Sequence, residues 1–163
     1  MTVPLFDCEA PAADKTARLR VFTIALPTGL KLLNANQRLH HKPKAKLTAA
    51  IRSKAHEAVT ECPELMAALA AAKPGPLFER VHILGIFRPA TARRADPANW
   101  YPSFKAAVDG LVDAGLLDDD DHEHVAGPDM RLGAKVKGGQ IVLVVRALAP
   151  GEDPLDRKAV SAR

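Results

Sequence analysis

Aromatic side chains are scarce in this chain. Phe, Trp and Tyr make up 4% of it, against 47% for hydrophobic residues as a whole, so the core must be aliphatic, built from Ala, Val and Leu. Cysteine is nearly absent. Cys8 and Cys62 are the only two; they exclude a disulfide framework and a CxxC metal site and fit free thiols in a reducing compartment. No apolar run approaches the ~18 residues of a membrane span, so no membrane partner is expected. The first residues, MTVPLFDCEAPAADKTAR, carry acids early and lack an apolar h-region, which argues against a signal peptide. A soluble, cytoplasmic protein is the expectation. No Gly-rich phosphate loop is present, which argues against a Rossmann or P-loop nucleotide cofactor.

What is there fits one domain with tails. The 163 residues carry a formal net charge of +4, which favours a polyanionic partner only where the cations cluster. Residues 1–17 are Ala/Pro-rich and read as a loose arm. "LRVFTIAL" (19–26) is β-branched and bounded by Pro27 and Gly29, a strand. "KLLNANQRLHHKPKAK" (31–46) holds five Lys/Arg, two His and no acid, and reads as a polar loop. Leu47, Ile51, Ala55 and Val59 recur at i, i+4, predicting a helix over 47–61. "PELMAALAAAKPG" extends or follows it, with Pro63 suited to a first turn. A second strand is expected over 77–88.

The clearest helix is 101–117, with Phe104, Val108, Leu111 and Val112 on one stripe. Asn99 is its N-cap candidate and Gly115 its stop. "GPDMRLG" and "KGG" read as turns, "QIVLVVRAL" (140–148) as a strand, and residues 149–163 as a disordered tail. Strands and helices alternate only partly. The fold class is α/β (α+β): a single compact domain over 18–148 with a mixed sheet of about four strands packed by helices.

The chemistry concentrates in "RRADPANWYPSFKAAVDGLVDAGLLDDDDHEH", residues 93–124. Asp96 precedes the helix and Asp118 to Asp121 follow it. A helix of ~15 residues is ~22 Å long, so its two flanks share a ligand only if the chain past Gly115 folds back. A hard cation such as Mg²⁺ would reward that convergence, since it takes one or two protein carboxylates with water and phosphate oxygens. Other readings stand beside it. Four aspartates suit a solvated turn, Lys105 and Asp109 suit an i, i+4 ion pair, and His122 with His124 offers two zinc ligands without a second pair.

As a whole, the block resembles the RusA family of Holliday junction resolvases. Arg93-Arg94 matches the family's basic run, and Asp96-Pro97-Ala98-Asn99 matches its D-x-D-N, with Ala98 in place of the second aspartate. Lys105 with Asp109, the pair Ala114-Gly115, and Asp119-Asp120 match the remainder of the family's pattern in order. Three extra residues lie between Asn99 and Lys105. "TIALP" and "LLNANQR" are similar to the family's first strand and loop, and "KVKGGQIVLVV" to its closing turn and last strand, so the likeness covers roughly residues 20–147.

The resemblance implies a RusA-like, homodimeric, Mg²⁺-dependent endonuclease, with Mn²⁺ as a substitute, that nicks branched four-way DNA. Members occur in bacteria and phages. Carried over by position, Asp96 and Asp120 are metal carboxylates with Asp119 beside them, and Lys105 stabilises charge on the scissile phosphate. Asn99 offers a carbonyl oxygen, and Asp121 or Glu123 a replacement for the aspartate lost at Ala98; the rival expectation is a relative that binds branched DNA without cutting. From charge alone, the DNA-binding candidates are Lys31, Arg38, Lys42, Lys44 and Lys46, with Arg88, Arg93 and Arg94 nearer the acids. Trp100 and Tyr101 fit either base stacking or packing at the helix start.

Overall fold

The computed structural model describes residues 21–155; the expected N-terminal arm and Cys8 lie outside them. Two long strands make the centre. β2 (Val81–Arg88) and β4 (Gln140–Ala147) pair antiparallel, Val81 opposite Ala147 and Arg88 opposite Gln140. β1 (Val21–Ala25) adds antiparallel to β4, and β3 (Val125–Leu132) adds parallel to β2. The result is a mixed four-stranded sheet in the order β1-β4-β2-β3, an α+β domain with helices packed on the sheet.

Alternation along β2 shows why one face takes the helices. Val81, Ile83 and Phe87 are buried with Gly85, while His82, Leu84, Ile86 and Arg88 stay half-buried. The period-2 pleat puts these sets on opposite faces. α1 (His41–Thr60), α2 (Pro63–Ala72) and α3 (Tyr101–Asp113) supply the opposing surface. Phe104 of α3 seats its ring over Gly85, where an added Cβ would lie 2.7 Å from the ring. The core is aliphatic as expected, with Ile51, Val59, Ile83, Leu111, Leu116, Ile141 and Leu143 among its fully buried members.

Four expectations change. Residues 41–46 are not loop but the first turns of α1. Lys and Ala are good helix formers, and Pro43 lies in the first turn, where its missing N–H is not needed; polarity distinguished exposed from buried there, not loop from helix. "GPDMRL", read as a turn, is edge strand. Pro128 is tolerated because an edge strand has one side without ladder partners. Asn99 does not cap α3. It sits inside a 3-10 turn, Pro97–Trp100, that Asp96 caps through Oδ1 to the Ala98 N–H at 3.0 Å. Finally, α3 ends at Asp113 rather than at residue 117. Residues 149–155 form a turn in which Glu152 accepts from Arg146 and from the Ala149 N–H; residues 156–163 lie outside those described.

Candidate functional site

α3 is the spine of the site. Its N-terminal end is tied to the long loop after β1 through Ser103, a completely buried polar residue. Ser103 Oγ accepts from the Leu33 N–H at 2.7 Å and donates to the Leu33 carbonyl at 2.8 Å. Close by, the Ala35 N–H donates to the Asn99 carbonyl at 2.7 Å. The loop carrying Asn34 and Arg38 is therefore pinned to the turn that carries Asp96. Trp100 stacks on Phe87 with ring centroids 4.3 Å apart, which makes it a packing residue; Tyr101 is exposed.

At the other end the chain turns back. Gly115 follows the C-cap Ala114 with φ +85, the left-handed stop that glycine adopts without a Cβ penalty. Leu116 and Leu117 then bury almost completely, and the Leu77 and Phe78 N–H groups bond the Gly115 and Leu116 carbonyls. Burial of two leucines directs the acidic run along α3 instead of away from it. Asp120 consequently meets the Lys105 ammonium, which also bonds Asp109 Oδ1 at 2.5 Å. Lys105 lies eight residues before the end of α3, about 12 Å along its axis, so the acidic run folds back to the middle of the helix, while the hydrogen bond of the Asp96 side chain is local, to the Ala98 N–H.

Charge is distributed unevenly within this cluster. Burial alone would lower the Lys105 ammonium, but its hydrogen bonds to Asp109 and Asp120 outweigh that and hold it above the usual lysine value. The Lys105 hydrogen bond in turn holds the Asp120 carboxyl below the usual range. Two carboxylates thus straddle one cation, about half of whose side chain is open to solvent. A second ion pair joins from α1: Arg52 grips Asp113 with both Nε and Nη2, the latter at 2.6 Å from Oδ1. Arg52 also lies within the electrostatic reach of Asp109 and Asp120.

The remaining expected residues have identifiable positions. Asp119 Oδ1 accepts from the Asp120 N–H at 2.7 Å, orienting its neighbour. Asp121 Oδ1 accepts from the Glu123 and His124 N–H groups and pairs with His124 Nδ1 at 2.6 Å, so it shapes the entry into β3. That pairing occupies one ring nitrogen of His124. Asp96 is exposed at the N-terminal side of α3. Among the described residues, no group of three or more His, Cys, Asp or Glu side chains is set to hold a metal ion.

Of the arginines, Arg88 is committed to the sheet, donating to Gln140 Oε1 at 2.8 Å and to the Ala134 carbonyl. Arg93 and Arg94 are exposed. Arg52, Asp113 and Ser103 carry no sequence motif that singles them out. Only Ser103 leaves a signal, a small hydroxyl next to Phe104, which opens the apolar stripe of the helix. No protein-family model matches the chain, and no curated protein matches it. No helix among the described residues is long and apolar enough to cross a membrane.

Proposed function

We propose that the protein is a divalent-metal-dependent endodeoxyribonuclease that acts on four-way DNA junctions as a homodimer. The observation that carries this reading is the fold-back past Gly115, which lays Asp120 on Lys105 and Asp109 in the middle of α3. The sequence order of the block and this meeting of its two halves support each other. The candidate donors are all oxygen, which suits Mg²⁺ or Mn²⁺: Asp120 and Asp109 meet at Lys105, and Asp96 is added from the resembled family pattern rather than from a contact in the fold. When bound, such an ion polarises the phosphorus–oxygen bond and lowers the pKa of a coordinated water.

The chain's own residues do the rest. Asp119 orients the Asp120 backbone, and Lys105 carries a fixed positive charge to meet the charge that builds on the scissile phosphate. Arg93 and Arg94, solvent-exposed just before Asp96, draw a phosphate towards carboxylates that would otherwise repel it. Ala98 favours a second reading, a protein that binds branched DNA and does not cut it, because a methyl group stands where the resembled family has a carboxylate.

A labelled synthetic four-way junction separates the two. Cleavage in Mg²⁺ or Mn²⁺, abolished in EDTA, is expected. Asp96→Asn and Asp120→Asn should lose cutting and keep binding, and Lys105→Ala should lower the rate by roughly 10²–10³, the usual effect of deleting one charge-stabilising donor. Binding without cutting in either metal leaves only the second reading.

A further inference from the structure

Residues 35–46 are exposed without a break, and from His41 onward they are helix. The first six residues of α1, about 9 Å of helix at 1.5 Å per residue, therefore stand in solvent on every side. This segment carries His41, Lys42, Lys44 and Lys46 and no acid, and no Asp or Glu occurs anywhere from residue 15 to residue 56. Among the described residues none of Arg38, Lys42, Lys44 and Lys46 has an ion-pair partner.

Nothing in the fold accounts for these cations. Positive charge in a first turn opposes the helix dipole. The turn has no acidic residue to offset it, and His40 provides no side-chain cap. The helix tip is locally disfavoured as it stands, and a polyanion placed around it would offset both defects. Its charges are also divided between two sides. At 100° per residue, Lys42 and Lys46 lie about 40° apart, and Lys44 lies on the opposite side of the cylinder, about 160–200° from them. A helix about 10–12 Å across fits the major groove of B-form DNA, about 12 Å wide, whose two walls are phosphate backbones.

We infer that the exposed start of α1 is a groove-entering nose that docks in the major groove of duplex DNA, with Lys42 and Lys46 on one backbone and Lys44 on the other. Lys44, Thr48 and Arg52 continue along one stripe of α1, lining a shallow trough with His41, Ala45 and Ala49. The stripe ends where Arg52 grips Asp113, on the helix that carries Lys105. The inference rests on the nuclease reading for its partner and adds the part of the DNA that is held, a duplex arm rather than the crossover itself. A-form RNA is a poor fit, because its major groove is too narrow and deep for a helix. A membrane surface is a poor fit as well, because the nose lacks an apolar face.

The test uses the full chain in EDTA, so that its outcome does not depend on cleavage. Fluorescence anisotropy compares a labelled DNA duplex, the RNA duplex of the same sequence and vesicles containing phosphatidylserine. The DNA duplex should bind most tightly. A combined Lys42→Gln, Lys44→Gln, Lys46→Gln variant should weaken that binding and lower the slope of log K against log salt by about 0.9 for each lysine lost. Its helical circular dichroism should not fall, and the corresponding triple arginine variant should restore binding. An unchanged salt slope in the glutamine variant, or equal binding of RNA or vesicles, overturns the inference. Duplex binding by the parent chain in EDTA, with no junction cutting once Mg²⁺ or Mn²⁺ is supplied, would overturn the nuclease reading instead.

Discussion

α1 and α3 pass close together at Gly110, and replacing it with alanine gives a quantitative test of the packing that holds the site together. A Cβ built there would lie 2.3 Å from the Arg52 carbonyl oxygen and 2.8 Å from the Ala55 Cβ. The nearer obstacle is backbone and cannot rotate away, so the helices must separate by about 1 Å. A radial gap of 0.5–1 Å forfeits roughly a quarter to a half of each dispersion contact it opens. Overpacking of this kind costs about 1–3 kcal/mol, while the intrinsic helix preference of Ala over Gly returns about 1 kcal/mol. Because the obstacle is backbone at 2.3 Å, the cost belongs in the upper part of that range, about 2–3 kcal/mol, and the net expectation is a loss of about 1–2 kcal/mol, read as a lower urea midpoint with an unchanged m-value. In a domain of this size the melting temperature should fall by roughly 2–4 °C per kcal/mol. Gly75→Ala is the control, since its nearest obstacle is the Ala72 carbonyl oxygen at 3.8 Å, and it should be neutral. Because Arg52 rides on the same turn, Gly110→Ala should also loosen the Arg52–Asp113 pair. If Gly110→Ala is as stable as the parent, the close crossing of α1 and α3 is not as described.

Two further outcomes are expected of the site. Ser103→Ala leaves the buried Leu33 N–H without its partner, which should cost about 1–3 kcal/mol and speed amide exchange at Leu33 and Ala35; exchange at parental rates would contradict the stitch between loop and helix. The His124–Asp121 pair gives a pH dependence. The Asp121 carboxylate hydrogen bond raises the His124 pKa, and the same bond lowers that of Asp121. A raised histidine stabilises fully below its ordinary value and loses that contribution as pH climbs through the raised one. A lowered aspartate stabilises above its ordinary value and loses it as pH falls through the lowered one. The turn entering β3 should therefore be firmest between about pH 4 and 6.5, followed by NMR through the Glu123 and His124 amides. An imidazole titrating at or below the ordinary value would refute the pairing.

The strand and helix periodicities were legible because they are local. Val81, Ile83 and Phe87 on alternate positions, and Phe104, Val108 and Leu111 on one stripe, announce their buried faces whatever lies opposite. The aliphatic core and the mixed four-stranded sheet are consequences of them. The boundaries that moved lie where local preference was weak. Residues 41–46 are helix with no buried face to mark it, and Pro128 sits in an edge strand where the ladder does not need its N–H.

Residue order alone dictates which chemistry is available: carboxylates before and after one helix, a lysine within it, and a long stretch free of acid. Packing dictates which of these groups meet. Burial of Leu116 and Leu117 after the Gly115 turn returns Asp120 to Lys105, and the close passage at Gly110 brings Arg52 across from a helix some sixty residues earlier in the chain. Neither meeting leaves a local pattern, because contact between distant segments is set by how much apolar surface both can remove from water together.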